Sequence, residues 1–162
     1  MGELAIKQGT APVPTVLYLD DDAGNRQAFV ASFRRDMRIL LASTPDQVWD
    51  LLTREQVHVM ISDQRLPGLQ GSEILSLVKD RHPQVRRMIM TAYTDLQAVI
   101  EAINRGGVIQ FLPKPWDADQ VLRAVQQAFA EFQSEHDRSN YTERLVEANK
   151  QLEFALRQRL LS

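Results

Sequence analysis

Three consecutive aspartates, Asp20, Asp21 and Asp22, close the apolar run Val16-Leu17-Tyr18-Leu19, and a further aspartate, Asp63, closes another. Carboxylates gathered within a few ångström repel one another. At 4 Å and an effective dielectric near 20 the cost is roughly 4 kcal/mol per pair. A hard cation makes such a cluster tolerable. Mg²⁺ suits it, taking one or two carboxylates and completing its octahedron with water and phosphate oxygens. A carboxylate neutralised in this way can attack phosphorus and form an aspartyl phosphate. The charge on the transferring group then needs a donor and a cation. Thr91 and Lys114 close two further apolar runs and offer a hydroxyl and an ammonium. The set suffices for acyl-phosphate chemistry without a glycine-rich phosphate loop. Taken singly, each residue has a plainer reading. The three aspartates could be N-caps of the next helix, Asp63 a turn cap before Pro67-Gly68, Thr91 an N-cap and Lys114 a surface lysine. What separates the readings is whether the chain brings these residues together.

The elements that carry them have a regular order. Short apolar runs begin at Val16, Met37, Val57, Val85 and Val108, at intervals of 20 to 28 residues. A continuous apolar run of this length fits a strand buried on both faces of a parallel sheet. The interval fits one strand, one helix and their loops. The segments between have helical punctuation. Thr44-Pro45-Asp46-Gln47 offers an N-cap, a proline in the first turn and a capping-box glutamine. Residues 71–81 carry Ile74, Leu75 and Val78 at helical spacing and stop at His82-Pro83. Residues 95–105 carry Leu96, Val99, Ile100 and Ile103 and stop at Gly106-Gly107. A fifth helix opens at Asp117. The chain is therefore expected to be an α/β protein, (βα)₅, with a doubly wound parallel sheet. In such sheets ligands bind beyond the carboxyl ends of the strands, at the topological switch point. With the flavodoxin-like order 2-1-3-4-5, strands 1 and 3 are neighbours there. Asp20, Asp21 and Asp63 would then converge, with Thr91 and Lys114 at the ends of the next two strands.

Composition removes several other classes. The 162 residues contain no cysteine, which excludes a disulfide scaffold, a cysteine nucleophile and a cysteine-ligated metal. The 19 basic and 21 acidic residues give a net charge of −2, with no global pull toward nucleic acid or an anionic membrane. No apolar run approaches the ~20 residues of a membrane span. His58, His82 and His136 are widely separated and lack the paired spacing of a zinc protease. Met1–Pro14 lacks the order of a signal peptide, so a cytoplasmic location is expected.

Four segments together resemble the receiver domain of bacterial response regulators. They are Leu17-Tyr18-Leu19-Asp20-Asp21-Asp22, Ile61-Ser62-Asp63-Gln64-Arg65-Leu66-Pro67-Gly68, Met90-Thr91-Ala92 and Phe111-Leu112-Pro113-Lys114-Pro115. The resemblance implies that Asp63 accepts a phosphoryl group from a sensor histidine kinase. It implies that Asp20 and Asp21 hold Mg²⁺ together with Asp63, Asp21 more directly, and with the backbone carbonyl of Arg65. Thr91 would bond the phosphoryl oxygen and Lys114 would pair with it. Phe111 stands where the family has its rotating aromatic switch, and the Lys114–Pro115 bond is expected to be cis. Phosphorylation would draw Thr91 inward, let Phe111 follow, and reshape the face of helix 4, strand 5 and helix 5. Arg65 and Tyr93 border the path of an attacking water and would tune phosphoryl lifetime. The chain would be a signalling domain that assists its own phosphorylation and dephosphorylation, not an enzyme acting on an external substrate.

Residues 1–13 read as a flexible leader, 14–132 as the receiver domain, and 133–162 as a helical extension. In the extension Leu145, Asn149, Leu152 and Leu156 recur at spacings 4, 3 and 4, a short heptad seam. An asparagine at an a position favours a parallel two-stranded coiled coil. A homodimer through this helix is expected; the other readings are a helix packed back on its own domain, or a linker to an output domain beyond Ser162. Asn140-Tyr141-Thr142-Glu143 could cap a separate helix. No nucleic-acid-reading or membrane element is evident. Two further functional readings are an aspartyl-phosphate phosphohydrolase, with Asp20 as nucleophile and Asp22 as acid/base, and a non-phosphorylated dimerisation scaffold. The first is disfavoured because Ala23-Gly24 stands where such enzymes carry threonine or valine, the second because the acidic pair, acceptor, Thr91 and Lys114 are all present.

Overall fold

The computed structural model describes residues 11–105, 107–108 and 110–161. Strands β1 (Thr15–Leu19), β2 (Arg38–Ala42), β3 (Val59–Asp63), β4 (Arg86–Ala92) and β5 (Gln110–Lys114) alternate with helices α1 (Ala23–Phe33), α2 (Pro45–Arg54), α3 (Gly71–Arg81), α4 (Leu96–Asn104) and α5 (Ala118–Leu161). A single 3₁₀ turn, Tyr93–Asp95, precedes α4. The strands form one sheet in the order β2-β1-β3-β4-β5, every pair parallel, as expected from the sequence.

Strands β1 and β3 are buried along their whole length, which explains their unbroken apolar runs. Side chains alternate between the two faces of a strand. Leu17, Leu19 and Met60 face a layer containing Val48 and Leu52 of α2 and Ile74, Leu75 and Val78 of α3. Val16, Tyr18, Val59 and Ile61 face the opposite layer, with Phe29 and Phe33 of α1 and Val121, Val125 and Ala128 of α5. The doubly wound arrangement follows from this two-sided burial.

Local signals set the helix ends. Thr44 caps α2 by accepting from the Gln47 backbone N–H at 3.3 Å. The Gln47 side chain reaches one residue further back than a capping box requires, accepting from the Ser43 N–H at 2.7 Å. Asp117 accepts from the N–H groups of Asp119 and Gln120 at the start of α5.

Strands β3, β4 and β5 run one or two residues past the apolar runs that signalled them. The polar residues Asp63, Thr91 and Lys114 beyond those runs still pair in the sheet, but hydrophobic periodicity does not register polar ends. Asn140–Glu143 starts no new helix and lies inside α5, where the Thr142 hydroxyl donates back to the Arg138 carbonyl at 3.0 Å. The chain divides into two compact units after Phe129. Residues 133–161 are exposed throughout. Most of the expected leader, residues 1–10, and Gly106 of the expected Gly106-Gly107 stop lie outside the described residues. No helix among the described residues is long and apolar enough to cross a membrane.

Candidate functional site

Asp20 is fully buried at the end of β1, and protein donors surround its carboxylate. Tyr18 donates its hydroxyl to Oδ2 at 2.8 Å, the Asp22 N–H donates to Oδ1 at 2.9 Å, and the Asn25 side-chain amide donates to Oδ2 at 3.1 Å. Arg26 donates to the Asp20 carbonyl at 2.8 Å. A buried carboxylate without such donors would cost several kcal/mol. The Tyr18 ring stacks on Phe29 with centroids 4.1 Å apart, so the core fixes the hydroxyl's aim. Burial, then the charge of Asp20, holds the Tyr18 hydroxyl far above its ordinary pKa and keeps it a donor.

The two residues that follow behave differently. Asp21 is exposed. Asp22 caps α1, accepting from the Asn25 N–H at 2.9 Å, so the N-cap reading of this triplet holds for its third member.

Asp63 ends β3 and is mostly buried, its side chain 10% exposed. Lys114, at the end of β5, donates to its Oδ1 at 2.6 Å. Burial pushes the Asp63 carboxyl above its ordinary pKa, the Lys114 bond and charge pull it back, and the Asp20 charge adds to the rise. One carboxylate oxygen from each of Asp20, Asp21 and Asp63 lies within 4.8 Å of the others. Three acidic oxygens at that spacing, with only Asp21 solvent-facing, match the hard-oxygen preference of a divalent cation.

The loop after β3 is drawn tightly over the site. The Gly71 N–H donates to the Gln64 carbonyl at 3.0 Å, and the Gln64 side chain accepts from the Ser72 N–H at 2.9 Å. A Cβ at Gly71 would sit 2.1 Å from the Asp63 carbonyl oxygen, so only glycine permits this approach.

Thr91 is buried at the end of β4. Its hydroxyl donates to Asp95 Oδ2 at 3.2 Å. Arg65 grips the same carboxylate with a two-pronged contact, Nε to Oδ2 and Nη2 to Oδ1, both at 2.9 Å. This pair holds Asp95 below the usual carboxylate range. A cleft of about 230 Å³ is lined by Asp63, Arg65, Thr91, Ala92, Thr94, Asp95 and Lys114. Phe111 is half-buried on β5 against the layer that contains Leu17 and Leu19. The Lys114–Pro115 bond is cis.

The sheet thus gathers Asp20, Asp21, Asp63, Thr91 and Lys114 at its carboxyl edge. Leu145, Asn149, Leu152 and Leu156 belong to the second unit and are exposed. Sequence reasoning missed three partners. In the sequence Tyr18 is one residue of an apolar run, Asn25 falls in no motif, and Asp95 only begins the helical segment 95–105. Asp95 holds the N-cap position of α4, but its side chain makes no cap hydrogen bond.

The family model for the response regulator receiver domain matches residues 16–126. The hydrogenase transcriptional regulatory protein HoxA of Cupriavidus necator is 37% identical over 114 residues, 70% of this chain and 24% of that protein. Sporulation initiation phosphotransferase F of Bacillus subtilis is 31% identical over 112 residues, 68% of this chain and 90% of that protein. Among solved structures, the signal receiver domain of an HD domain-containing protein from Pseudomonas fluorescens Pf-5 superposes with a TM-score of 0.73 at 28% identity, covering 80% of this chain and 98% of that one. The chain spans about a quarter of the length of the HoxA proteins it matches. With a family match over most of the (βα)₅ unit and the acidic edge in place, this chain belongs to the response regulator receiver domain family.

Proposed function

We propose that Asp63 accepts a phosphoryl group from the phosphohistidine of a sensor kinase, and that the chain relays this event as a conformational signal. The observation that carries the reading is the 2.6 Å contact of Lys114 with Asp63, beside the Asp20 and Asp21 carboxylates. In the transfer an Asp63 carboxylate oxygen forms the new P–O bond while the P–N bond to the imidazole breaks. The electron pair of that bond, and a proton, stay with the departing ring. Lys114 stabilises charge on the transferring group, and Thr91 supplies a hydroxyl to one of its oxygens.

Asp20, Asp21, Asp63 and the backbone carbonyl of Arg65 would hold Mg²⁺, which lowers the repulsion between incoming phosphate and resident carboxylates. The hydrogen bonds of Asp20 support a division of labour. Its oxygens already accept three protein donors, whereas Asp21 is solvent-facing and fits the more direct ligand. When Thr91 turns toward the phosphoryl group, Phe111 follows and the α4–β5–α5 face changes shape. The phosphohydrolase reading needs Asp22 as acid/base, but Asp22 is occupied as the cap of α1.

Residues 14–132 form the phospho-accepting unit. Residues 133–162 pair with a second copy as a parallel coiled coil, or connect to an output segment. The site assists phosphoryl gain and loss on its own aspartate and acts on no external substrate. A cytoplasmic kinase partner goes with a cytoplasmic location, and the near-neutral charge argues against direct nucleic-acid or membrane binding.

The test is labelling with Mg²⁺ and a small acyl phosphate, read by intact-mass spectrometry. One phosphoryl group should appear on the wild type and none on Asp63→Asn. Equal labelling of Asp63→Asn would overturn the assignment.

A further inference from the structure

We propose that Asp95 is a positioning residue that holds the Thr91 hydroxyl away from Asp63, and that Arg65 sets the strength of this hold. The inference rests on the reading of Asp63 as phosphoryl acceptor and concerns what opposes the switch before phosphorylation.

A threonine hydroxyl has one proton to donate. That proton is given to Asp95 Oδ2, so it is not available to an oxygen on Asp63. Asp95 is well placed to keep it. Its side chain is 19% exposed, and its carboxylate is fixed by the fork of Arg65, a charge-assisted arrangement with directional demands on both partners. Asp95 also stands at the N-cap of α4, where an aspartate ordinarily bonds the first free N–H groups of a helix. Here it makes no such bond, and its acceptor capacity goes to Arg65 and Thr91. One side chain therefore joins three elements: the loop after β3 through Arg65, the end of β4 through Thr91, and the start of α4 through its own backbone.

Moving Thr91 toward a phosphoryl group breaks its bond to Asp95. A ligand shifts a two-state equilibrium only by its differential affinity for the two states. The Thr91–Asp95 bond thus lowers the apparent affinity for any phosphoryl mimic. Arg65 contributes by holding Asp95 in its accepting position. Removing Asp95 also deletes a negative charge beside the cleft, which by itself favours an anion. The two effects separate in a variant that has no hydroxyl to release.

The experiment is a double-mutant cycle read by calorimetric titration of beryllofluoride in the presence of Mg²⁺. Asp95→Ala should bind about three- to tenfold tighter than wild type, the range of one net hydrogen bond. In the Thr91→Val background the same substitution should give a clearly smaller gain. Equal gains in both backgrounds would reduce the effect to charge alone and overturn the proposal, as would no gain in either. The second measurement needs no ligand. The Thr91 methyl resonance and its χ1-sensitive couplings should change in Asp95→Ala and, to a lesser extent, in Arg65→Ala. An unchanged Thr91 rotamer in Asp95→Ala also overturns the proposal. Failure of the wild type to bind beryllofluoride would strike the acceptor reading, while the rotamer measurement still decides the role of Asp95.

Discussion

Lys114 and Asp63 stand 51 residues apart in sequence, on strands separated in the sheet by β4, yet their side chains meet at 2.6 Å. The pair does not cancel the cost of placing Asp63 where it is. Burial and the Asp20 charge still leave its carboxyl with a raised pKa. A carboxyl with a raised folded pKa binds its proton more tightly in the native state than in the unfolded chain. Stability then falls as pH rises from the ordinary carboxylate range through the folded value, and above it the charged form is a standing cost. Without added divalent ion, Asp63→Asn should melt higher than wild type at pH 7. A rise of ~2–4 °C is expected, the shift that about 1 kcal/mol gives a chain of this size. The gap should narrow as pH drops below the ordinary carboxylate range. A variant that melts no higher at pH 7 would refute this.

Asp20 depends on Tyr18 more than sequence suggests. Tyr18→Phe keeps the ring stacked on Phe29 and removes only the hydroxyl that donates at 2.8 Å. A hydrogen bond to a charged group contributes about 1.5–3 kcal/mol, and the buried acceptor left behind loses one of its three donors. Urea denaturation at neutral pH should show a loss in that range, with an unchanged m-value. Mg²⁺ should restore part of it, because an ion bound only by the folded state adds stability by mass action. A loss well under 1 kcal/mol would mean that solvent replaces the hydroxyl.

The acidic edge was legible because its residues end apolar runs. Asp20, Asp63, Thr91 and Lys114 each interrupt a strand signal, and the parallel sheet aligns such interruptions at one edge. Tyr18, Asn25 and Asp95 were not legible in the same way. Tyr18 lies within the apolar run of β1, and its core packing hides its polar tip. Asp95 carries the ordinary sequence mark of an N-cap, and only the placement of Arg65, 30 residues earlier, diverts it. Whether helix α5 is broken at Asn140–Glu143 was equally undecidable. A threonine can cap a new turn or bond back to the previous one, and here it bonds back to Arg138.

His58 provides a pH response independent of the acidic edge. Its Nδ1 accepts the Thr15 N–H at 2.9 Å, and its ring lies 4.8 Å from the Phe129 ring. Nδ1 cannot accept once it is protonated. Burial lowers the His58 pKa from the ordinary 6.5. Below 6.5 the unfolded chain takes up a proton that the folded one resists, so stability falls as pH drops through that window and levels off beneath the folded value. Thermal melts between pH 7.5 and ~5 should show this loss, beside an NMR titration of the His58 ring. His58→Asn, whose side-chain oxygen can still accept from Thr15, should flatten the slope. An equally steep slope in that variant would assign the response to other groups.

The extension gives the last prediction. Leu145, Leu152 and Leu156 are 47, 60 and 56% exposed on a helix whose stripe also contains Asn149. Burying each leucine against a second copy offers about 1.5–3 kcal/mol at most. Two heptads make a marginal coil, so the dimer should be concentration-dependent. Light scattering across a dilution series should show the full chain passing from dimer to monomer, and a chain ending at residue 132 should be monomeric throughout. Leu152→Glu places like charges across the seam and should abolish the dimer, leaving the melting of residues 14–132 unchanged. Asn149→Val should tighten it by exchanging a buried amide for a β-branched side chain. Loss of the amide should also loosen the register, so cross-linking between two Leu145→Cys chains should lose its advantage over cross-linking of a Leu145→Cys chain with a Leu152→Cys chain. Light scattering that reports a monomer at every concentration, phosphorylated or not, would remove the coiled coil and leave residues 133–162 as a connector.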